Sequence, residues 1–166
     1  MNVRTYRMSI RTIACLMFVC AGFAQTAPNF SGAWRLDDSR STNYGIAGQT
    51  RFDTIRQEGS RLKVRTFIAL YLSPSWSEDW IIDGKPHAAM DRTNRPETVT
   101  AYWQGTDLVF RKENSAGDLI RETWSLSAGG QVLTMVIVGK DRGGVWGGVG
   151  DRKLVFTKAR PETPKP

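Results

Sequence analysis

The sequence predicts an all-β chain: about eight to ten short strands in an antiparallel meander, closed as an up-and-down barrel or folded as a sandwich, with little helix. Three observations carry that expectation. Apolar and polar residues alternate with a period of two along segment after segment. Turn signals built on Gly, Asp and Ser recur at roughly 8–12-residue spacing. No segment shows a sustained 3.6-residue period.

Phe30–Asp37 (FSGAWRLD) sets Phe30, Gly32, Trp34 and Leu36 against Ser31, Ala33, Arg35 and Asp37, which is the pattern of a half-buried strand. One helical turn is expected near Asp38–Thr42, with Asp37 or Asp38 as its cap. Arg51–Gln57 reads as the second strand and ends in the turn Glu58-Gly59-Ser60. Leu62–Leu72 follows, with Leu62, Val64, Ile68 and Leu70 on one face. Trp76–Asp83 ends at Asp83-Gly84, a hairpin signal. Thr98–Trp103 and Leu108–Lys112 flank Gln104-Gly105-Thr106-Asp107, and Leu119–Leu126 and Val132–Val138 flank Ala128-Gly129-Gly130. Lys153–Lys158 is the last of nine expected strands, and the tail 161–166, with three prolines, is expected to fray.

The 166 residues (18.6 kDa) fit one domain, and 40% hydrophobic with 23% charged residues describe neither a disordered chain nor a membrane bundle. No apolar run reaches the roughly 18 residues of a spanning helix. The N-terminus reads as a secretory signal. Arg4, Arg7 and Arg11 form an acid-free basic region, Thr12–Ala24 is a short apolar stretch, and Ala24 and Gly22 place small residues at −1 and −3. Cleavage is expected before Gln25. Residues 1–24 are then a signal peptide, 25–160 the domain and 161–166 its tail, with no stable membrane insertion after cleavage. A lipid-attachment reading is disfavoured: Met17-Phe18-Val19 before Cys20 lacks small residues, and Thr12-Ile13-Ala14-Cys15 lies too early. Cys15 and Cys20 both leave with the signal, so no disulfide, thiolate metal site or cysteine nucleophile is expected in the mature chain. Losing three arginines and no acid lowers the formal charge from +7 to +4, an ordinary surface rather than a nucleic-acid footprint. The basic and aromatic residues Arg51, Phe52, Arg56, Arg61, Lys63, Arg65 and Phe67 accordingly read as a solvated strand face.

Several of these motifs, in this order, carry a resemblance. Asn29–Asp37 (NFSGAWRLD) is similar to the opening of lipocalin-like and fatty-acid-binding proteins, whose first strand carries Gly-x-Trp. Ile55–Val64 (IRQEGSRLKV) resembles their following hairpin. Trp103–Leu108 (WQGTDL) and Glu122–Leu126 (ETWSL) resemble later strands of small secreted bacterial lipocalin-like proteins. The resemblance spans Phe30 to Lys158 and implies a calycin-type barrel whose interior can hold a small, mostly apolar ligand. It also implies that the first strand pairs with the last, with the Trp34 indole against a basic side chain, Lys158 or Arg160. Two departures bear on the ligand. Fatty-acid-binding proteins present an Arg-x-Tyr pair on the last strand, and Arg152–Lys158 (RKLVFTK) contains none. The interval between Asp37 and Arg51 leaves little room for their helix-turn-helix lid.

Hairpin pairing across the Gln104–Asp107 turn puts Val99, Ala101, Trp103, Leu108 and Phe110 on one face. The same argument groups Ile120, Glu122, Trp124 and Leu126 with Leu133, Met135 and Ile137. Such a face is either plain core or an apolar pocket with a few convergent polar groups. On the pocket reading the ligand-lining residues are Trp80, Trp103, Phe110, Glu122, Trp124 and Met135, with Glu122, Arg65 or Arg111 as the polar group.

Catalytic constellations are not expected. His87 is the single histidine and reads as a loop residue, so no Ser-His-Asp triad can be completed without it and no multi-histidine zinc site is available. Glu78 and Asp79 are strand neighbours and point to opposite faces. Glu78 with Glu122 or Glu97 is a weak candidate for paired-carboxylate chemistry. The run 140–150 (KDRGGVWGGVG) fails as a phosphate loop, because no Gly-Lys-Ser/Thr and no helix follow it. The expected function is a secreted or periplasmic, non-catalytic protein that holds a small, mostly apolar molecule, without cofactor or metal and without nucleic acid as partner. The alternative is an envelope interaction or inhibitor protein with a filled barrel core that binds a protein through its loops.

Overall fold

The computed structural model describes residues 27–43, 50–68, 76–91, 94–115, 117–127, 129–139 and 151–159. The expected signal peptide, the tail 161–166, Arg160, the glycine-rich run 140–150 and the distal part of the Leu62–Leu72 strand lie outside them.

Ten strands form one antiparallel sheet: β1 (Gly32–Leu36), β2 (Arg51–Glu58), β3 (Arg61–Ile68), β4 (Trp76–Ile81), β5 (Pro86–Met90), β6 (Pro96–Gln104), β7 (Asp107–Asn114), β8 (Leu119–Leu126), β9 (Val132–Gly139) and β10 (Arg152–Lys158). Their order across the sheet is β4-β3-β2-β1-β10-β9-β8-β7-β6-β5. Each strand thus pairs with its sequence neighbours, except across the β4–β5 step, and β1 additionally pairs with β10. That closing pair excludes the sandwich and makes a nearly closed up-and-down barrel.

The closing register places Trp34 opposite Lys158 and Leu36 opposite Phe156. Lys158 Nζ lies 5.5 Å from the centre of the Trp34 ring, so the cation expected over this indole is Lys158. Trp34 is fully buried, and its Nε1–H donates to the Phe30 carbonyl at 2.9 Å. Gly32 is required here. Its φ of +148° disfavours a side chain, and a Cβ would stand 3.0 Å from Lys158 Cε.

The meander is incomplete at one place. β4 and β5 are consecutive in sequence, yet they form the two edges of the sheet. The turn between them is fixed to other strands: Ile82 N–H donates to Ser60 O at 2.6 Å and Gly84 N–H to Ala101 O at 2.9 Å. β5 is the strand absent from the sequence expectation, and it carries His87, which is therefore a strand residue and not a loop residue. The expected turn after β1 is a 3-10 turn over Asp38–Arg40. Asp37 holds it through side chains, accepting from Ser39 Oγ and Arg40 Nε at 2.7 Å each, rather than by capping a backbone N–H.

Tight turns at Gly59, Gly105 and Gly129-Gly130 join strands at one end of the barrel, where the chain also enters through Phe30. Strands β1, β3 and β9 finish at the opposite end. The core runs along the inner face, from Phe30, Leu62, Leu108 and Leu133 at the tight-turn end towards Val64, Val99 and Leu154.

Candidate functional site

Strand parity decides which side chains enter the barrel. On β7, Leu108, Phe110 and Lys112 share the inward phase, and on β8 Glu122 and Trp124 do. The register sets Phe110 beside Glu122 and Leu108 beside Trp124, with Met135 the next neighbour of Trp124. All six expected lining residues belong to or pack against one cluster. Trp80, Phe110, Trp124 and Met135 lie within it, Trp103 packs on its edge, and Glu122 is buried beside it at 6% exposure.

The cluster has an aromatic half. Phe30 stacks on Trp103 at 5.9 Å and meets the edge of Trp124 at 5.8 Å. Trp80 and Phe110 pack at 4.7 Å, and both touch Trp124, at 5.9 and 5.1 Å. These rings fill the tight-turn end by ordinary core packing.

Towards the other end the inner face becomes polar. Lys112 Nζ lies 3.1 Å from Glu122 Oε2 and 3.6 Å from Glu78 Oε1, and all three side chains are largely buried. The same ammonium sits 4.7 Å from the Trp80 ring centre and 5.9 Å from that of Phe110. Glu122 uses its other oxygen to accept from Trp124 Nε1–H at 2.7 Å. Across the barrel, Arg51 donates from Nε and Nη2 to the two oxygens of Asp53, at 2.9 and 2.7 Å, and Asp53 is 1% exposed. The Arg51 guanidinium faces Phe156 at 5.3 Å and Trp76 at 5.8 Å. Burial acts to lower the Arg51 pKa, but Asp53, through charge and hydrogen bonds, together with the charges of Glu78 and Glu122 outweighs it, and the net shift is upward.

Of the three polar candidates only Glu122 points inward. Arg65 and Arg111 are exposed, because they fall between the buried pairs Val64/Thr66 and Phe110/Lys112. Sequence reasoning missed Arg51, Asp53 and Lys112 as interior groups. The signal was their parity: Arg51 and Asp53 share the phase of buried Ile55, and Lys112 that of Phe110. Glu78 and Asp79 do point to opposite faces, with Asp79 outward against Arg61 at 3.1 Å. Glu78 and Glu122 meet across the Lys112 ammonium, an arrangement that engages both in ion pairing rather than leaving one as acid and the other as nucleophile. Among the described residues no group of three His, Cys, Asp or Glu side chains forms a metal site.

A second feature lies at the β4–β5 seam. A groove of about 260 Å³ opens there, lined by Arg61, Asp79 and Ile81 on its outer side and by His87, Trp80 and Val99, which share the inward phase, on its inner side. His87 Nε2 stands 3.0 Å from Asp83 Oδ1.

No family model matches the chain, and no curated protein does. Solved structures do match its fold. The fluorescent protein UnaG superposes with a TM-score of 0.62 at 15% identity, covering 78% of this chain and 97% of that one. Lipid binding protein 8 of Caenorhabditis elegans gives 0.61 at 12% identity over 78% and 95%. Fatty-acid-binding protein 1 of Echinococcus granulosus gives 0.59 at 9% identity over 79% and 98%. The chain shares the barrel fold of these proteins, with little sequence in common.

Proposed function

We propose that the chain is an exported, non-catalytic binding protein that holds a small, mostly apolar molecule inside its barrel. The observation that carries this reading is the buried polar set, Arg51–Asp53 and Lys112–Glu122–Glu78, within an aromatic interior. Charged groups are expensive to bury and add little stability that apolar residues would not supply. An apolar enclosure with a few convergent polar groups is the ordinary constitution of a small-molecule site. The barrel neighbours named as lipid or fatty-acid binders support the same class of ligand. Trp80, Trp103, Phe110, Glu122, Trp124 and Met135 are the proposed lining, with Lys112 and Arg51 added. Export rests on the basic residues Arg4, Arg7 and Arg11 followed by the apolar stretch ending at Ala24.

The test is native mass spectrometry of the protein purified from its own host. A co-purified small molecule whose readdition changes tryptophan fluorescence is the expected result. Fluorescence indifferent to a broad lipid and metabolite panel leaves the aromatic interior only its packing role. N-terminal sequencing should begin at Gln25; a chain starting at Met1 or at a lipid-modified Cys20 defeats the export reading. The filled-core alternative, expected to bind a partner through loops, draws instead on a strand-face observation, the cross-strand pair Phe52 and Phe67, exposed on the outer face of β2 and β3 at 36% and 48%. It predicts that loss of these two rings abolishes a protein interaction while interior substitutions do not.

A further inference from the structure

Two of the cations inside the barrel already face carboxylates of the chain itself. Arg51 gives two donors to Asp53, and Lys112 lies between Glu122 and Glu78. On the same inward phases, half-buried Glu97 beside Val99 and half-buried Arg152 beside Leu154 add one charge of each sign. Among the described residues the inner face therefore carries four carboxylates (Asp53, Glu78, Glu97, Glu122) against three cations (Arg51, Lys112, Arg152). A ligand carboxylate brought to Arg51 or Lys112 must break one of these pairs or stand against a like charge, and a low-dielectric interior strengthens that repulsion.

Among the uncharged inward groups, a hydroxyl has hydrogen-bonding capacity to spare. Thr66 is fully buried on the inward phase of Val64 and Ile68, between Asp53 on β2 and Trp76 on β4. Its Oγ1 has no hydrogen-bond partner among the described residues. A hydroxyl both donates and accepts, so it matches a ligand hydroxyl or carbonyl, and a buried polar group gains most from a partner when it otherwise has none.

We infer that the barrel takes an uncharged apolar molecule whose buried end bears a hydroxyl or carbonyl, and that it discriminates against the carboxylate of the same skeleton. Glu78 and Glu122 set this selectivity by occupying Lys112, and Thr66 supplies the hydrogen bond. The inference rests on the interior-binding reading above.

The experiment uses the full chain at pH 8 with Nile red, an uncharged dye, displaced by decanol or decanoate. Decanol should bind at least tenfold more tightly than decanoate. The Glu78→Gln/Glu122→Gln variant should narrow that ratio by about tenfold through tighter decanoate binding, and the amide oxygen it places at position 122 can still accept from the Trp124 indole. Glu78→Gln alone, at the less buried of the two carboxylates, should narrow it in the same direction if the double variant does not fold. Thr66→Val should weaken decanol about three- to tenfold, the worth of one hydrogen bond. Decanoate binding as tightly as decanol, or a ratio unmoved by the glutamine substitutions, overturns the inference and leaves interior binding intact. A folded protein that takes up neither dye nor decanol overturns the interior-binding reading and this inference with it.

Discussion

Replacing Lys112 with methionine tests the interior ion cluster most directly. Methionine keeps an unbranched stem against the Trp80 and Phe110 rings while deleting the ammonium that stands 3.1 Å from Glu122 and 3.6 Å from Glu78. At an effective dielectric of about 20, each contact is worth about 5 kcal/mol of Coulomb attraction. Most of that is offset in the native protein by the desolvation of three buried groups. Deleting one member removes the attraction but leaves the carboxylates buried, so the loss should reach about 3–5 kcal/mol at pH 7. The variant's folded state then gains by binding a proton that its unfolded state releases, so its stability should rise as the pH falls from 7 towards 5. Urea unfolding of wild type and variant at several pH values reads both effects. A variant within about 1 kcal/mol of wild type at pH 7 would refute the reasoning. A deficit independent of pH would reassign the loss to packing of the lysine stem.

Three further outcomes are expected. Gly32→Ala should lower stability and disturb the Trp34–Lys158 contact together, because the added Cβ meets Lys158 while the backbone is held at positive φ; urea unfolding and the Trp34 indole proton shift would register them, and an unchanged indole signal would argue against the close approach. Trp124→Ala should lose about 3–5 kcal/mol, since it removes the ring that touches Phe30, Trp80 and Phe110 and strips Glu122 of a donor; a loss below about 1 kcal/mol in urea unfolding would mean the ring borders open space. The Asp83 carboxyl should titrate below the ordinary value of about 3.9, lowered first by its hydrogen bond with His87 and then by the Lys85 N–H. A lowered pKa means that its stabilising effect is present above about pH 4 and is lost as the pH falls through the folded-state value. His87→Ala should move the NMR titration of Asp83 upward, and an unmoved titration would discount the pair.

Much of the barrel was legible because alternation and turn spacing are local properties. The pairing of Trp103 with Leu108, and of Trp124 with Met135, follows from turn length once the apolar phase is known. The strand β5 was not legible. Pro86 supplies no N–H, and His87, Ala88, Ala89 and Met90 carry neither β-branching nor strict alternation, so only its pairing with β6 makes it a strand. The polar half of the interior was half legible. Glu122 was found because it neighbours Trp124 in phase, whereas Arg51 read as part of a solvated face and Lys112 and Asp53 were not singled out, and only the phase of Phe110 and Ile55 places them inside. What parity does not reveal is partnership: that Lys112 bridges two carboxylates depends on β4 and β8 facing each other across the barrel, a property of closure rather than of any one strand.

The seam between β4 and β5 has a consequence for how the chain is threaded. Read from β5 through β10 and then from β1 to β4, the sheet is an unbroken run of adjacent strands. In the natural order, one pairing, β1 with β10, joins distant parts of the chain, and its ends lie close: Ala159 N–H donates to Ala33 O at 2.8 Å. A circular permutant cut within the 82–85 turn and joined through a linker between residues 159 and 27 would keep every strand pair while making each one local. The slow, entropically demanding step of closing the ring would become another hairpin. The topology of this barrel is thus separable from the position of its termini, and the pairing that brings Lys158 over Trp34 is the one on which folding order turns.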